Sequence, residues 1–202
     1  MAEERMIFIS GGVRSGKSTY AEKIAVKLAN QTEGSLHYIA CGRASDEEMA
    51  LRISHHRAGR ENSIPAWTTW EQSTSIHHLA SRFDQQSFVL LDCLTTLLNN
   101  ELFSSKEEKW NEKSFQDEVV KTITIGLEEI AAHCNCLLIV SNEVLNAPLL
   151  DGVSFVYGRI LGKLHQWAVD KSDFAILVET GQAIIKKGEI ADEWNYGSRD
   201  SF

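Results

Sequence analysis

Residues 6–19 constrain this chain more than any other stretch. Met6, Ile7, Phe8 and Ile9 form an apolar, strand-forming run that enters the spacing Gly11-x-x-x-x-Gly16-Lys17-Ser18, and the helix-forming run Tyr20 to Ala29 follows at once. Strand, glycine-rich turn and helix, in that order, build a phosphate cradle. Glycines let the backbone turn so that successive N–H groups face phosphate oxygens, and the new helix adds the positive end of its dipole. Candidate nucleotide-binding residues are therefore Gly11, Gly12, Val13, Arg14, Ser15, Gly16, Lys17, Ser18 and Thr19. Lys17 is placed to reach the β- and γ-phosphates as a point charge, and the Ser18 hydroxyl to ligate Mg²⁺. The pattern implies nucleotide chemistry.

A second signal lies at Phe88 to Asp92, where an apolar run ends in a carboxylate. Such a run suits a strand buried on both faces of a parallel sheet, and Asp92 falls where an acid would hold Mg²⁺ beside the phosphates. A competing role for Asp92 is the N-cap of a helix over residues 94–103. Leu36 to Ala40 and Cys136 to Glu143 read as further strands with polar or small residues at their carboxyl ends, the ligand side of a doubly wound sheet. Ile39, Ala40 and Cys41 are thus candidates for contact with base or ribose. Trp67 to Glu71 reads as a short strand, residues 73–83 as a helix with Ile76, Leu79, Ala80 and Phe83 on one face, and residues 104–113 as a surface connection. A helix capped by Ser114 and Asp117 is expected to His133, another over residues 155–169, and an antiparallel hairpin from Phe174 to Lys186, turning at Gly181 and Gln182, at the sheet edge. The fold class is α/β: a mostly parallel sheet of P-loop NTPase type, flanked by helices, with a C-terminal antiparallel edge hairpin. All 202 residues are expected to form one nucleotide-binding domain with a polar tail over 188–202.

Formal charge is −8, with basic residues scattered among acidic ones, which disfavours a nucleic-acid partner. No segment approaches the roughly 18 apolar residues of a membrane span, and the acidic start Met1-Ala-Glu-Glu-Arg5 lacks a signal-peptide pattern, so a cytoplasmic protein is expected. Cys41, Cys93, Cys134 and Cys136 lack zinc-knuckle spacing and read as buried thiols.

Ser45 to Glu48 is a helix-start signal, and Met49, Ile53 and His56 follow on one face, with His55 turned about 100° away. Arg52, Arg57 and Arg60 surround these histidines. A histidine among arginines beside a nucleotide suits attack on, or stabilisation of, a phosphate; a structural histidine is the commoner reading of the residue alone. The adjacent His77 and His78 project in different directions and read as surface residues.

The order of these motifs resembles the bifunctional adenosylcobinamide kinase and adenosylcobinamide-phosphate guanylyltransferase family of cobalamin biosynthesis. The resemblance is carried by residues 10–18, Tyr38-Ile-Ala40, residues 46–57, Trp67-Thr-Thr-Trp-Glu71, Leu91-Asp-Cys-Leu-Thr-Thr96 and Ser141-Asn-Glu-Val144, and spans roughly residues 6 to 187. It implies that His56 is the nucleophile that takes GMP from GTP, and that Arg57, Ala58, Gly59, Arg60, Glu71 and the end of the second strand contact guanosine. Neutral imidazole is a good nucleophile near neutral pH, and a covalent intermediate divides one difficult transfer into two easier ones. The resemblance further implies catalytic roles for Lys17 and Asp92, Mg²⁺ at Ser18 and Asp92, ATP and GTP as substrates, adenosylcobinamide and its phosphate as partners, and a homotrimer. The chain departs from the family pattern at Glu61, Leu145, Tyr157, Gly158 and His165, positions that bear on the corrinoid side or a subunit contact. Two other readings compete: a monofunctional small-molecule kinase without a covalent nucleotide, and a module that uses bound nucleotide only to order a surface.

Overall fold

The computed structural model describes residues 5–42, 65–104, 109–143 and 152–189. Its strands are β1 (Arg5–Gly11), β2 (Ser35–Ala40), β3 (Trp67–Glu71), β4 (Ser87–Asp92), β5 (Cys136–Asn142), β6 (Phe174–Glu179) and β7 (Gln182–Lys187). They form one sheet in the order β3-β2-β4-β5-β1-β6-β7. Strands β1 to β6 run parallel, and β7 pairs antiparallel with β6 at the edge. The α/β expectation, including the terminal hairpin, is met.

The near-continuous apolar runs of β1, β4 and β5 follow from burial on both faces. Side chains alternate along each strand. Ile7, Ile9, Tyr38, Leu90 and Leu138 pack with Tyr20, Ala21, Ile24 and Leu28 of α1 (Lys17–Thr32). Phe8, Ile39, Val89, Leu91 and Ile139 pack on the opposite face, under α2 (Leu94–Leu102), α3 (Lys113–His133) and α4 (Gly152–Lys171). The sheet thus separates two apolar cores and leaves its carboxyl edge for ligands.

Four local expectations are corrected. Residues 76–82 form a 3₁₀ helix, entered through Ser75 at φ 52°, in place of an α-helix over 73–83. The expected face (Ile76, Leu79, Ala80 and Phe83) is still the buried one, and the i, i+3 pair Ile76 and Leu79 matches the tighter winding. Gly126 of α3 allows close packing there: a Cβ on it would stand 2.8 Å from Ile76 Cγ1. Asp92 does not cap α2; Cys93 holds the N-cap position without a side-chain hydrogen bond. Neither Ser114 nor Asp117 caps α3, which starts after Glu112, and Asp117 pairs instead with Lys113 one turn back. Finally, Lys109–Asn111 form a 3₁₀ turn whose Trp110 ring packs against the core. The indole has more to gain from burial than a polar connection suggests. The buried Gln116 secures this turn: its amide donates to Trp110 O at 2.9 Å and its carbonyl accepts from Arg159 Nη2 at 2.6 Å.

Candidate active site

The phosphate-binding loop leaves β1 at Gly11 and enters α1 at Lys17. Gly11 is a glycine because β6 passes too close for anything larger: a Cβ would stand 2.3 Å from Val178 O and 2.7 Å from Ser15 Oγ. Gly16, at φ 91°, sits in the left-handed region that glycine enters without penalty. The loop is closed by Ser15 N donating to Gly12 O at 3.2 Å and is supported from outside by Gly181 N, in the β6–β7 turn, donating to Ser15 O at 2.9 Å. Just past β5, Glu143 N donates to Gly11 O at 2.9 Å. The N-cap of α1 is Gly16, which has no side chain to cap the helix, and the N–H groups of the first turn suit an anion.

Val13, Arg14, Gly16, Lys17, Ser18, Thr19 and Asn142 line a cavity of about 450 Å³ above this loop. Lys17 is 7% exposed. Its Nζ donates to Gly12 O at 3.1 Å. Burial pulls the Lys17 pKa down, while the negative charge of Asp92 and that of Cys93 when ionised push it back up.

Asp92, the last residue of β4, accepts a hydrogen bond at Oδ2 from the buried Tyr38 hydroxyl at 2.8 Å. Beside it, Cys93 Sγ lies 3.0 Å from Thr95 Oγ1 and 3.1 Å from Thr96 Oγ1. Asn142, at the end of β5, donates through Nδ2 to Thr95 Oγ1 at 2.9 Å and to Cys93 Sγ at 3.7 Å. Burial pushes the Cys93 thiol up, with Asp92 adding to the effect, so it stays protonated near neutrality. Tyr157 donates to Thr95 O at 2.8 Å, and burial raises its phenol as well. One residue before Asn142, Ser141 Oγ lies 2.7 Å from His165 Nε2, whose ring rests 5.3 Å from that of Phe8. Burial lowers the His165 pKa, and Glu143 opposes that shift. Two of the family departures, Tyr157 and His165, therefore have partners at the carboxyl edge of the sheet.

Lys17 and Ser18 line one cavity with Val13, Arg14, Gly16 and Thr19, and Asp92 lies in electrostatic reach of Lys17. Ser18 and Asp92 offer hydroxyl and carboxylate oxygens, the donors a hard divalent cation prefers. Among the described residues no cluster of three His, Cys, Asp or Glu forms a metal cage.

The second-strand expectation needs revision. Ile39 and Cys41 are fully buried in the core under α2 and α3, so their side chains do not reach a ligand. The main chain of Cys41 is tied to the edge of the site: Cys41 N donates to Asp92 O at 3.2 Å, and Cys41 O accepts from Asn100 Nδ2 at 2.8 Å. Ala40 is half-buried, and Glu71 is exposed at the end of β3, in register with Ala40. His56, Arg57, Ala58, Gly59 and Arg60 lie outside the described residues, as do Glu61 and Leu145. Sequence reasoning missed Tyr38, Thr95 and Asn142 as site residues. Polar residues ending an apolar run flag Asn142, but nothing local couples Tyr38 to Asp92 or Asn142 to Thr95. All four cysteines are buried and free, as expected.

A parallel sheet with this loop at its carboxyl edge defines the P-loop NTPase class. Two solved structures share the fold. One, an ATPase domain, matches with a TM-score of 0.53 at 12% identity, covering 93% of this chain and 78% of that one. The flagellar accessory protein FlaH from Methanocaldococcus jannaschii matches with a TM-score of 0.51 at 11% identity, covering 94% and 80%. Within that class, residues 7–185 match the cobinamide kinase / cobinamide phosphate guanyltransferase family, and the chain belongs to it. The bifunctional adenosylcobalamin biosynthesis protein CobU of Salmonella typhimurium is 32% identical over 184 residues, 87% of this chain and 96% of the relative. The CobU protein of Escherichia coli is 32% identical over 143 residues, 69% of this chain and 75% of the relative. The bifunctional protein CobP of Pseudomonas aeruginosa is 32% identical over 184 residues, 90% of this chain and 96% of the relative. No helix among the described residues is long and apolar enough to cross a membrane.

Proposed function

We propose that this chain phosphorylates adenosylcobinamide with ATP or GTP and then joins GMP from GTP to the new phosphate through a guanylylated His56. Membership of the family over residues 7–185, together with a phosphate loop that keeps Lys17 buried within the field of Asp92, carries the reading.

In the first reaction the terminal hydroxyl of the aminopropanol arm attacks the γ-phosphorus. A new O–P bond forms, the bridging P–O bond breaks, and the nucleoside diphosphate leaves. Such transfer depends on positioning and charge stabilisation. Lys17 and the main-chain amides of Gly12 to Ser18 bind the β- and γ-phosphates, and Asp92, steadied by Tyr38, takes the hydroxyl proton or would help to hold the cation. Mg²⁺, held by Ser18 and Asp92, would supply charge neutralisation at the transferring phosphoryl group. In the second reaction an imidazole nitrogen of His56 bonds to the α-phosphorus of GTP and pyrophosphate leaves. The phosphate of adenosylcobinamide phosphate then displaces the histidine, giving adenosylcobinamide-GDP. Arg57, Ala58, Gly59, Arg60 and Glu71 contact guanosine, with Ala40 and the main chain of Ile39 and Cys41 nearby. A homotrimer is the proposed assembly, with sedimentation equilibrium as its test.

The experiment uses purified protein, Mg²⁺ and GTP labelled at the α- or the γ-phosphate. The α-label should appear on the protein as an acid-labile, base-stable phosphoramidate that His56→Ala removes, and the γ-label should appear on cobinamide. A His56→Ala protein that labels as strongly as wild type refutes the assigned nucleophile. Transfer of γ-label with no protein-bound α-label leaves only the kinase.

A further inference from the structure

We infer that the turn between β6 and β7 is a positioning element of the nucleotide site: the Gly181 N–H, by holding the Ser15 carbonyl, aims the adjoining Gly16 N–H at the bound phosphates. This rests on the kinase reading above. The sheet order puts β6 and its hairpin on one flank of β1, and β5, which ends in Asn142, on the other. The cavity above the phosphate loop is lined by Asn142 and so opens on the β5 flank. On the hairpin flank Gly181 N donates to Ser15 O at 2.9 Å, and a Cβ on Gly16 would stand 3.6 Å from Gly181 Cα.

Ser15 O and Gly16 N belong to one peptide plane. That peptide is trans, so its carbonyl and its N–H point in opposite directions. With the carbonyl held on the β6 flank, the Gly16 N–H is directed to the β5 flank, where Gly16 is exposed and lines the cavity. Among the described residues that N–H makes no main-chain hydrogen bond. The loop alone does not fix this choice. Turning the plane over reverses the sign of φ at Gly16, here 91°, and glycine populates either sign about as readily. The inverted plane would meet phosphate oxygens with a carbonyl oxygen, a repulsive contact. The hydrogen bond from Gly181 therefore selects the orientation that an anion requires.

The turn is built to hold that donor still. Glu179 and Gln182 form the last rung of the hairpin, which leaves Thr180 and Gly181 as a two-residue loop with φ 50° and 78°. Positive φ at both positions is the type I′ geometry, whose twist matches that of the strands. Val178, two residues before the loop, is in register with Gly11, where the phosphate loop leaves the sheet.

The test replaces Gly181 of the full-length protein with glycolic acid, an ester unit that lacks the N–H and adds no side chain. A net main-chain hydrogen bond is worth a factor of about 3 to 10 in an equilibrium, so the ester protein should bind ADP about 3- to 10-fold more weakly by isothermal titration calorimetry. Coupling is reciprocal, so in the wild type, with no variant needed, ADP should slow hydrogen exchange of the Gly181 amide by a similar factor beyond any change shared by β7. A merely structural bond would lower the melting temperature of the ester protein without ligand and leave its ADP affinity unchanged. An ester protein that binds ADP as wild type does, or a Gly181 amide that ADP slows no more than the rest of β7, overturns this role and leaves the kinase reading standing. A wild type that binds no ADP overturns both.

Discussion

Gly11→Ala tests how tightly the phosphate loop is built into the sheet. The added Cβ would lie 2.3 Å from Val178 O, a main-chain oxygen of the strand with which Gly11 is in register. Main chain in a paired strand cannot swing aside as the end of a side chain can, so relief requires β1 and β6 to part at this rung. Overpacking costs about 1–3 kcal/mol, and the upper end applies where backbone must move. Alanine's smaller freedom in the unfolded chain returns about 0.4–1 kcal/mol, which leaves a loss of about 2 kcal/mol. For a chain of this length that corresponds to a fall in Tm of about 4–8 °C. Differential scanning calorimetry without nucleotide is the assay, because a ligand that binds only the folded protein would shift the result. Gly12→Ala is the internal control: no atom lies within 4 Å of its added Cβ, and it should stay within about 0.5 kcal/mol of wild type. A Gly11→Ala protein that melts with Gly12→Ala would falsify the close-approach argument.

Three further outcomes are expected. Tyr38→Phe removes the hydrogen bond to Asp92 Oδ2 and should cost about 0.5–1.5 kcal/mol in urea denaturation; an unchanged midpoint would mean that the pair adds nothing to stability. Gln116→Leu leaves Trp110 O and Arg159 without their buried partner and should lower the urea midpoint by the equivalent of about 1–3 kcal/mol with an unchanged m-value, whereas a changed m-value would point to altered compactness. His37 and His165 both have pKa values lowered by burial, so below the ordinary value of 6.5 the unfolded chain takes up protons that the folded one resists. Their contribution is complete above that value and is lost as pH falls through the window beneath it. His165→Asn should flatten part of that fall in a pH series of thermal melts, and an unaltered slope would refute the assignment.

Much of this architecture was legible in order and type because β1, β4 and β5 are buried on both faces and announce themselves as unbroken apolar runs. The loop was legible for a different reason: Gly11, Gly16, Lys17 and Ser18 work through backbone geometry and short-range contact, which sequence spacing encodes directly. Local patterns misjudged helix starts, where Asp92, Ser114 and Asp117 looked like caps but found other work or none. They also misjudged Trp110, whose carbonyl is held by Gln116 six residues on and, through Gln116, by Arg159 of a helix much further along the chain.

What the sequence determined by itself was the phosphate cradle, the buried strands and the acid at the end of β4, since each is a property of consecutive residues. Only the tertiary structure decided that Ile39 and Cys41 face a core, that Tyr38 holds Asp92, and that Asn142 turns its amide toward Thr95 and Cys93. Those relations cross strands and helices dozens of residues apart, and they exist only once parallel pairing has brought the carboxyl ends of β2, β4 and β5 to one edge.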